Sequence, residues 1–239
     1  DGNVITFTKP ATITTTDLTS MSYSTDDGDT WTTLTNDGST AQSISVSLDK
    51  GHKAIWKGIA KRLNNNYGQQ HGCHFTSTAE KEWEVSGNIM SLLYEDNFYG
   101  REYPGGGYNL TFYGLFCTMT STDYWLKSAK NLVLPAAVLK THCYTMMFKN
   151  NTGLVFPPRV LPAEVATSTC YYQMFYGCTS LVDAPEIMAT SCEGQQNFYG
   201  MFMNCTSLTQ SPELRITNTT SQCCLSMFNG CSNLTDALE

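Results

Sequence analysis

The residues with the plainest chemical potential lie in "HGCH", His71–His74, where imidazoles flank a thiol. Such a group could contribute to a zinc site or pair a cysteine nucleophile with a histidine base. A zinc site needs four ligands at a recognisable spacing, and no second pair accompanies this one. An ordinary loop following the turn-rich "NNNYGQQ" is therefore expected, and an enzyme built on Cys73 and His74 is the remote alternative. "PGGGY", Pro104–Tyr108, is glycine-rich but lacks the Gly-Lys-Ser/Thr ending of a phosphate loop, and reads as a flexible insertion.

A second chemical candidate is a column. Arg159, Glu186 and Glu213 recur at steps of 27, each just after a proline, with Asp183 nearby. They are expected to face outward on one strand side, with Arg159 pairing with Glu186. Glu186 beside Glu213 is mildly repulsive unless a cation sits there. A solvated face is the plainer reading; a calcium or ligand contact is the sharper one. Arg159, Asp183, Glu186 and Glu213 are the candidate binding residues. The ten cysteines are lopsided, with Cys73 alone in the first 100 residues and nine between Cys117 and Cys231. Residues of one column point in parallel, which suits stacking better than bridging. Buried free thiols are expected, with off-column Cys192 and adjacent Cys223–Cys224 as the exceptions.

These columns belong to a repeat. "MFYGCTSL" at Met174 returns as "MFMNCTSL" at Met201 and "MFNGCSNL" at Met227. Met147, Met174, Met201 and Met227 are separated by 27, 27 and 26, and Phe148, Phe175, Phe202 and Phe228 follow the same steps. Cys143, Cys170, Asn197 and Cys223 form another column, and "TFYGLF" at Thr111–Phe116 is a divergent earlier copy. Within one copy, Cys170, Met174 and Cys178 sit at i, i+4 and i+8, which predicts the apolar face of a short helix stopped at Gly177. "SLVDAPEI" then predicts a short strand. One such unit cannot bury its face alone, so copies must stack. Strands on one side and helices on the other would force a curved horseshoe.

The first 60 residues differ. "VITFT", "TITTT", "SMSYS", "WTTLT" and "SISVS" are alternating, β-branched runs. "IWKGIAK" reads as a further strand and "HFTSTAEKEWEVSG" as a hairpin. "STDDGDTW", Ser24–Trp31, fits the Asp-box pattern S-x-D-x-G-x-T-W, in which Asp26 accepts backbone N–H bonds, Gly28 supplies positive φ and Trp31 packs the hairpin. It resembles the structural hairpins of sialidase propellers, but one copy makes no propeller.

The net charge of −7 disfavours nucleic acid, since phosphate neutralisation needs clustered Lys and Arg. No run reaches the ~18 apolar residues that span a bilayer. With charged residues at 15%, the surface must be built from Thr, Ser, Asn, Gly and Tyr, which leans towards an extracellular setting. The start at Asp1 reads as processing, the mid-repeat end at Glu239 as truncation, and the terminal "LE" as a cloning remnant.

"CYYQMFYGCTSLVDAPE" resembles the BspA-like leucine-rich-repeat surface proteins of anaerobic gut and oral bacteria, over about 140 residues from Phe98 onward. "VSGNIMSLLYEDNF" is similar to the segment that introduces such repeats, and "TMTSTDYWLKSAKN" departs from their usual short link. The resemblance implies a secreted or lipid-anchored, outer-membrane-associated lipoprotein with adhesive roles, and brings no catalytic motif.

The expected fold is α+β in two parts: an all-β sandwich-like module over 1–88, then a short leucine-rich-repeat-like α/β solenoid over 89–239. The solenoid has a divergent first repeat at 99–142 and regular repeats at 143–239, about four repeats of 26–27 residues in all. The expected function is non-enzymatic adhesion at the bacterial cell surface, to host extracellular or neighbouring-cell proteins through the repeat face. The alternative is a surface glycan-binding protein assisting polysaccharide capture. No catalytic residue, metal, cofactor or nucleic acid is expected, and membrane contact only through a lipid anchor outside the chain.

Overall fold

The computed structural model describes residues 2–67, 72–78, 80–117, 125–135 and 138–235. His71, residues 118–124 of the divergent link, Asp236 and the terminal "LE" lie outside the described residues.

The alternating runs near the N-terminus form two three-stranded antiparallel sheets. In one, β1 (Asn3–Lys9) lies between β4 (Gln42–Leu48) and β6 (His74–Ser77). In the other, β2 (Leu18–Ser24) lies between β3 (Thr32–Thr35) and β5 (Ile55–Ala60). Period-2 alternation puts Ile5 and Phe7 on one face of β1, where both are buried. The sheets meet through aromatic rings: Phe7 lies 5.1 Å from Phe75 on β6 and 6.5 Å from Trp56 on β5.

"TITTT" forms a turn, not a strand. The Asp17 carboxylate accepts from the Thr14 N–H at 3.2 Å and the Thr14 hydroxyl at 3.0 Å, so the threonines serve a local turn. Nor is "HFTSTAEKEWEVSG" a hairpin. β6 pairs with β1, whereas β7 (Trp83–Asn88) runs parallel to β8 (Leu126–Val133). The end of the 1–88 segment is thus tied directly to the repeat region, and one apolar core runs from Ile5 to Met227.

The expected α/β leucine-rich-repeat solenoid is not formed. Among the described residues the α-helix is confined to one turn, α1 (Ser91–Tyr94), ahead of the repeats. The repeats fold instead as successive four-residue turns. Residues at positive φ recur every fourth position: His142, Met146, Asn150; then Thr169, Gln173, Gly177; then Gln196, Gly200, Asn204; then Gln222, Ser226, Gly230. Between them the N–H groups alternate. Those of Thr145, Met147 and Lys149 close local turns to the third residue before. Those of Tyr144, Met146, Phe148 and Asn150 donate to Cys170, Tyr172, Met174 and Tyr176 of the next copy at 2.7–2.9 Å. Every second amide therefore ties one rung to the next.

The misleading signal was the i, i+4, i+8 spacing. A helical face drifts about 40° every four residues, whereas a strict four-residue turn unit does not drift, so both read alike over nine residues. Gly177, Asn204 and Gly230 are left-handed as expected, but as the third such position in each rung. The strand side is equally short: β9 (Val160–Leu161) pairs in parallel with β11 (Glu186–Ile187), and β10 (Val165–Ala166) with β12 (Ser191–Cys192). Both sides of a rung are stitched by backbone hydrogen bonds. The unequal helix and strand spacing that would have forced a horseshoe is therefore missing.

Two aromatic ladders fill the rungs. Phe116, Phe148, Phe175, Phe202 and Phe228 stack at 5.4–5.6 Å with interplanar angles of 15° or less. Phe112, Tyr144, Tyr171 and Phe198 stack at 5.4–5.8 Å, so the divergent "TFYGLF" copy is the first rung of both. The Tyr171 hydroxyl is buried without a hydrogen-bond partner among the described residues, and its column neighbour Phe198 carries no hydroxyl. Tyr171→Phe removes an unsatisfied polar group, so thermal unfolding should show a gain of about 1 kcal/mol.

The column Asn150, Gly177, Asn204, Gly230 alternates for a steric reason. A Cβ on Gly177 (φ 72°) would stand 2.8 Å from Asn150 Oδ1; one on Gly230 would overlap Asn204 Oδ1. Gly177→Ala therefore meets both backbone strain and a clash, costing about 2 kcal/mol. In an Asn150→Gly background the clash is gone, and a double-mutant cycle should return a coupling of about 1 kcal/mol.

Candidate functional site

The strand-side column lies where its spacing implies. Pro158, Pro185 and Pro212 are buried, and Arg159, Glu186 and Glu213 beside them are exposed, as is Asp183. Their pairing differs from expectation. Arg159 makes no ion pair among the described residues; its carbonyl accepts the Glu186 N–H at 2.9 Å. The cation between the carboxylates is Arg215, 2.8 Å from Glu213 and 4.0 Å from Glu186. The Arg215 hydrogen bond holds the Glu213 carboxyl below its ordinary range. Arg215 stands two residues after Glu213 in "PELRI", the extended-chain spacing that returns a side chain to the same face. Arg215 thus supplies positive charge beside both glutamates, and no cluster of three or more metal-ligating residues occurs among the described residues.

The described part of "HGCH" does not present an activated thiol. Cys73 is buried, and burial pushes its thiol far above the ordinary range, the reverse of an activated cysteine. His74 Nδ1 lies 3.0 Å from the Gly72 carbonyl. "PGGGY" is not a flexible insertion: Pro104 and Gly105 are buried in a 3-10 turn. A Cβ on Gly105 would overlap the Lys61 carbonyl, and the Tyr94 hydroxyl donates to the Tyr103 carbonyl at 3.0 Å.

A concavity lies elsewhere, between the N-terminal sheets and β7. It encloses about 1090 Å³, reached from β5, the loop before it, β7 and α1, the upper end of the size range of ligand sites. Three of the four tryptophans line it: Trp31, Trp56 and Trp83.

Each is held by a different element. Trp31 is set by the Asp box. Asp26 accepts the Thr30 N–H at 2.9 Å and the Ser24 hydroxyl at 2.6 Å, Gly28 takes φ 101°, and Trp31 Nε1 donates to the Gly28 carbonyl at 2.9 Å. The Ser24 and Thr30 hydrogen bonds bring the Asp26 pKa down to about 2, so the box stays charged at any ordinary pH. Trp56 forms the back wall against Tyr23 at 5.2 Å and Phe75 at 5.1 Å. Trp83 projects from β7 and meets Phe116 at 6.2 Å. All three remain half-buried.

The polar part of the lining is balanced: four lysines face five carboxylates, a formal net of −1. Lys57 binds both ways, 4.1 Å over the Trp31 ring and 3.8 Å from Asp96. A cleft with indole walls, apolar floor residues such as Ile5 and Leu92, and nearly cancelling charges suits a neutral ligand with an apolar face and a polar rim. Sequence patterning did not find it, because its tryptophans come from three separated segments; the Asp box was the visible part.

Comparison with family models, with curated proteins and with solved structures finds no match to this chain.

Proposed function

We propose that the protein is a non-enzymatic binding protein of the cell surface and that it captures a neutral glycan segment in the cleft between its β module and β7. One observation carries this reading: three half-buried indoles, each oriented by its own packing, converge on one charge-balanced cavity of about 1090 Å³. A pyranose ring has an apolar C–H face and a rim of hydroxyls, which matches indole walls set among paired charges. The low share of charged residues, 15%, and the many Thr and Asn residues support an extracellular setting.

The test is calorimetric titration of the full chain with neutral oligosaccharides of β-glucan, mannan and xylan type. Saturable binding to one of them is expected, weakened at least tenfold, about 1.4 kcal/mol, by Trp83→Leu in a protein that still unfolds cooperatively. Glu186→Ala should leave the affinity unchanged. Affinity indifferent to Trp83→Leu, or no saturable binding to any neutral glycan, would contradict the reading.

Adhesion to extracellular proteins through the repeat face is the second reading. It is favoured by Arg159, Asp183 and Glu186 standing exposed on rungs held rigid by backbone bonds. Saturable binding to a matrix protein, lost on Arg159→Glu and kept on Trp83→Leu, would support it over the first.

A further inference from the structure

Most cysteines are occupied in a way that leaves them inert. Cys178, Cys205 and Cys231 form one column, and each thiol donates to the carbonyl of the ladder phenylalanine one rung earlier: Phe148 at 3.2 Å, Phe175 at 3.1 Å and Phe202 at 3.0 Å. Cys73, Cys143 and Cys170 are buried in the apolar core, and Cys117 is buried as well.

Cys192 and Cys223 are buried in the same core, but they face one another. Their sulfurs lie 3.0 Å apart, and the half-buried Cys224 places its sulfur 3.8 Å from Cys223. The contact arises from a break in a column. Cys143 and Cys170 occupy the first two places, but Asn197 takes the third. Cys192, five residues earlier on β12, comes to face Cys223 of the following rung. The two facing thiols also favour the thiolate form of Cys223.

We propose that Cys192 and Cys223 are a disulfide-forming pair that locks two successive rungs together when the protein meets a low-molecular-weight disulfide. The Cys223 thiolate attacks one sulfur of the external disulfide, whose S–S bond breaks and releases one thiolate. The Cys192 thiolate then attacks the Cys223 sulfur, forming the internal bond and releasing the second thiolate. The two protons given up by the cysteines end on the two released thiols: the cysteines are oxidised and the external disulfide is reduced. A disulfide bond is about 2.05 Å long, so the sulfurs need approach by only about 1 Å.

The test uses the full chain equilibrated with oxidised glutathione, alkylated in denaturant and mapped by non-reducing peptide mass spectrometry. One cross-linked pair joining Cys192 to Cys223 is expected, with titratable thiols falling from ten to about eight. The thermal midpoint should rise and return on reduction. Cys224→Ser should keep the cross-link, and Cys192→Ser should abolish it. Ten free thiols after equilibration, glutathione adducts without a cross-link, or a link involving Cys224, Cys143 or Cys170 would each overturn the assignment; these readouts use the wild-type chain and do not depend on a variant folding.

Discussion

Phe175→Ala is expected to lower stability by about 3–5 kcal/mol. The ring is fully buried and stacked on both faces, 5.4 Å from Phe148 and 5.5 Å from Phe202, at interplanar angles of 1° and 5°. Truncation removes the transfer free energy of one ring and two stacking contacts, and leaves a cavity that cannot collapse. The rungs above and below are held at fixed separation by the Phe148 N–H to Met174 and Phe175 N–H to Met201 bonds, both 2.9 Å. Phe175→Leu, which keeps most of the volume, should cost much less. Chemical denaturation of both variants checks this; a loss under 1 kcal/mol for the alanine would mean that the ladder is not a continuous packed column.

The second large effect has a sign that the repeat pattern alone would reverse. Asn197 interrupts a cysteine column, and restoring the repeat's own residue with Asn197→Cys would ordinarily be counted as stabilising. The geometry predicts a loss of about 2–4 kcal/mol. The Asn197 amide nitrogen lies 2.6 Å from the Ala166 carbonyl, 2.9 Å from Thr167 and 2.8 Å from Glu193, and its carbonyl accepts the Thr220 hydroxyl at 2.8 Å. One side chain thus joins its own rung to the rungs on either side. A thiol has one weak donor, so the Glu193 carbonyl and the Thr220 hydroxyl lose these bonds, while the Ala166 and Thr167 carbonyls keep only their backbone donors, Glu193 and Cys170. Thermal unfolding at or above the wild-type midpoint would show that the Asn197 hydrogen bonds contribute little.

The repeat was legible because a stacked rung must place like residues in register, and the Met, Phe and Cys columns record that directly. Its conformation was not. Left-handed positions are easily read when glycine or asparagine fills them, as at Gly177 and Asn204. Here Thr169, Gln173 and Gln222 fill them too, at a cost borne by inter-rung hydrogen bonds that local sequence does not display. Helical and four-residue turn periods are also indistinguishable over so short a run. The outward column follows its prolines in the sequence, yet its counter-ion is Arg215, two residues after Glu213. The cleft was the least legible, since Trp31, Trp56 and Trp83 carry no common spacing and meet only because β7 leaves the first module to pair with β8.

That convergence is the centre of the functional account, and the four indoles provide a direct probe of it. In a two-dimensional ¹H–¹⁵N spectrum, each tryptophan gives one Nε1–H signal. Titration with the neutral oligosaccharide that binds should shift the signals of Trp31, Trp56 and Trp83 together, with one common dissociation constant. Trp125, which lies outside the lining, should move least. Shifts confined to Trp125, or saturable binding that leaves all three cleft indoles unmoved, would contradict the assignment of the cleft as the ligand site.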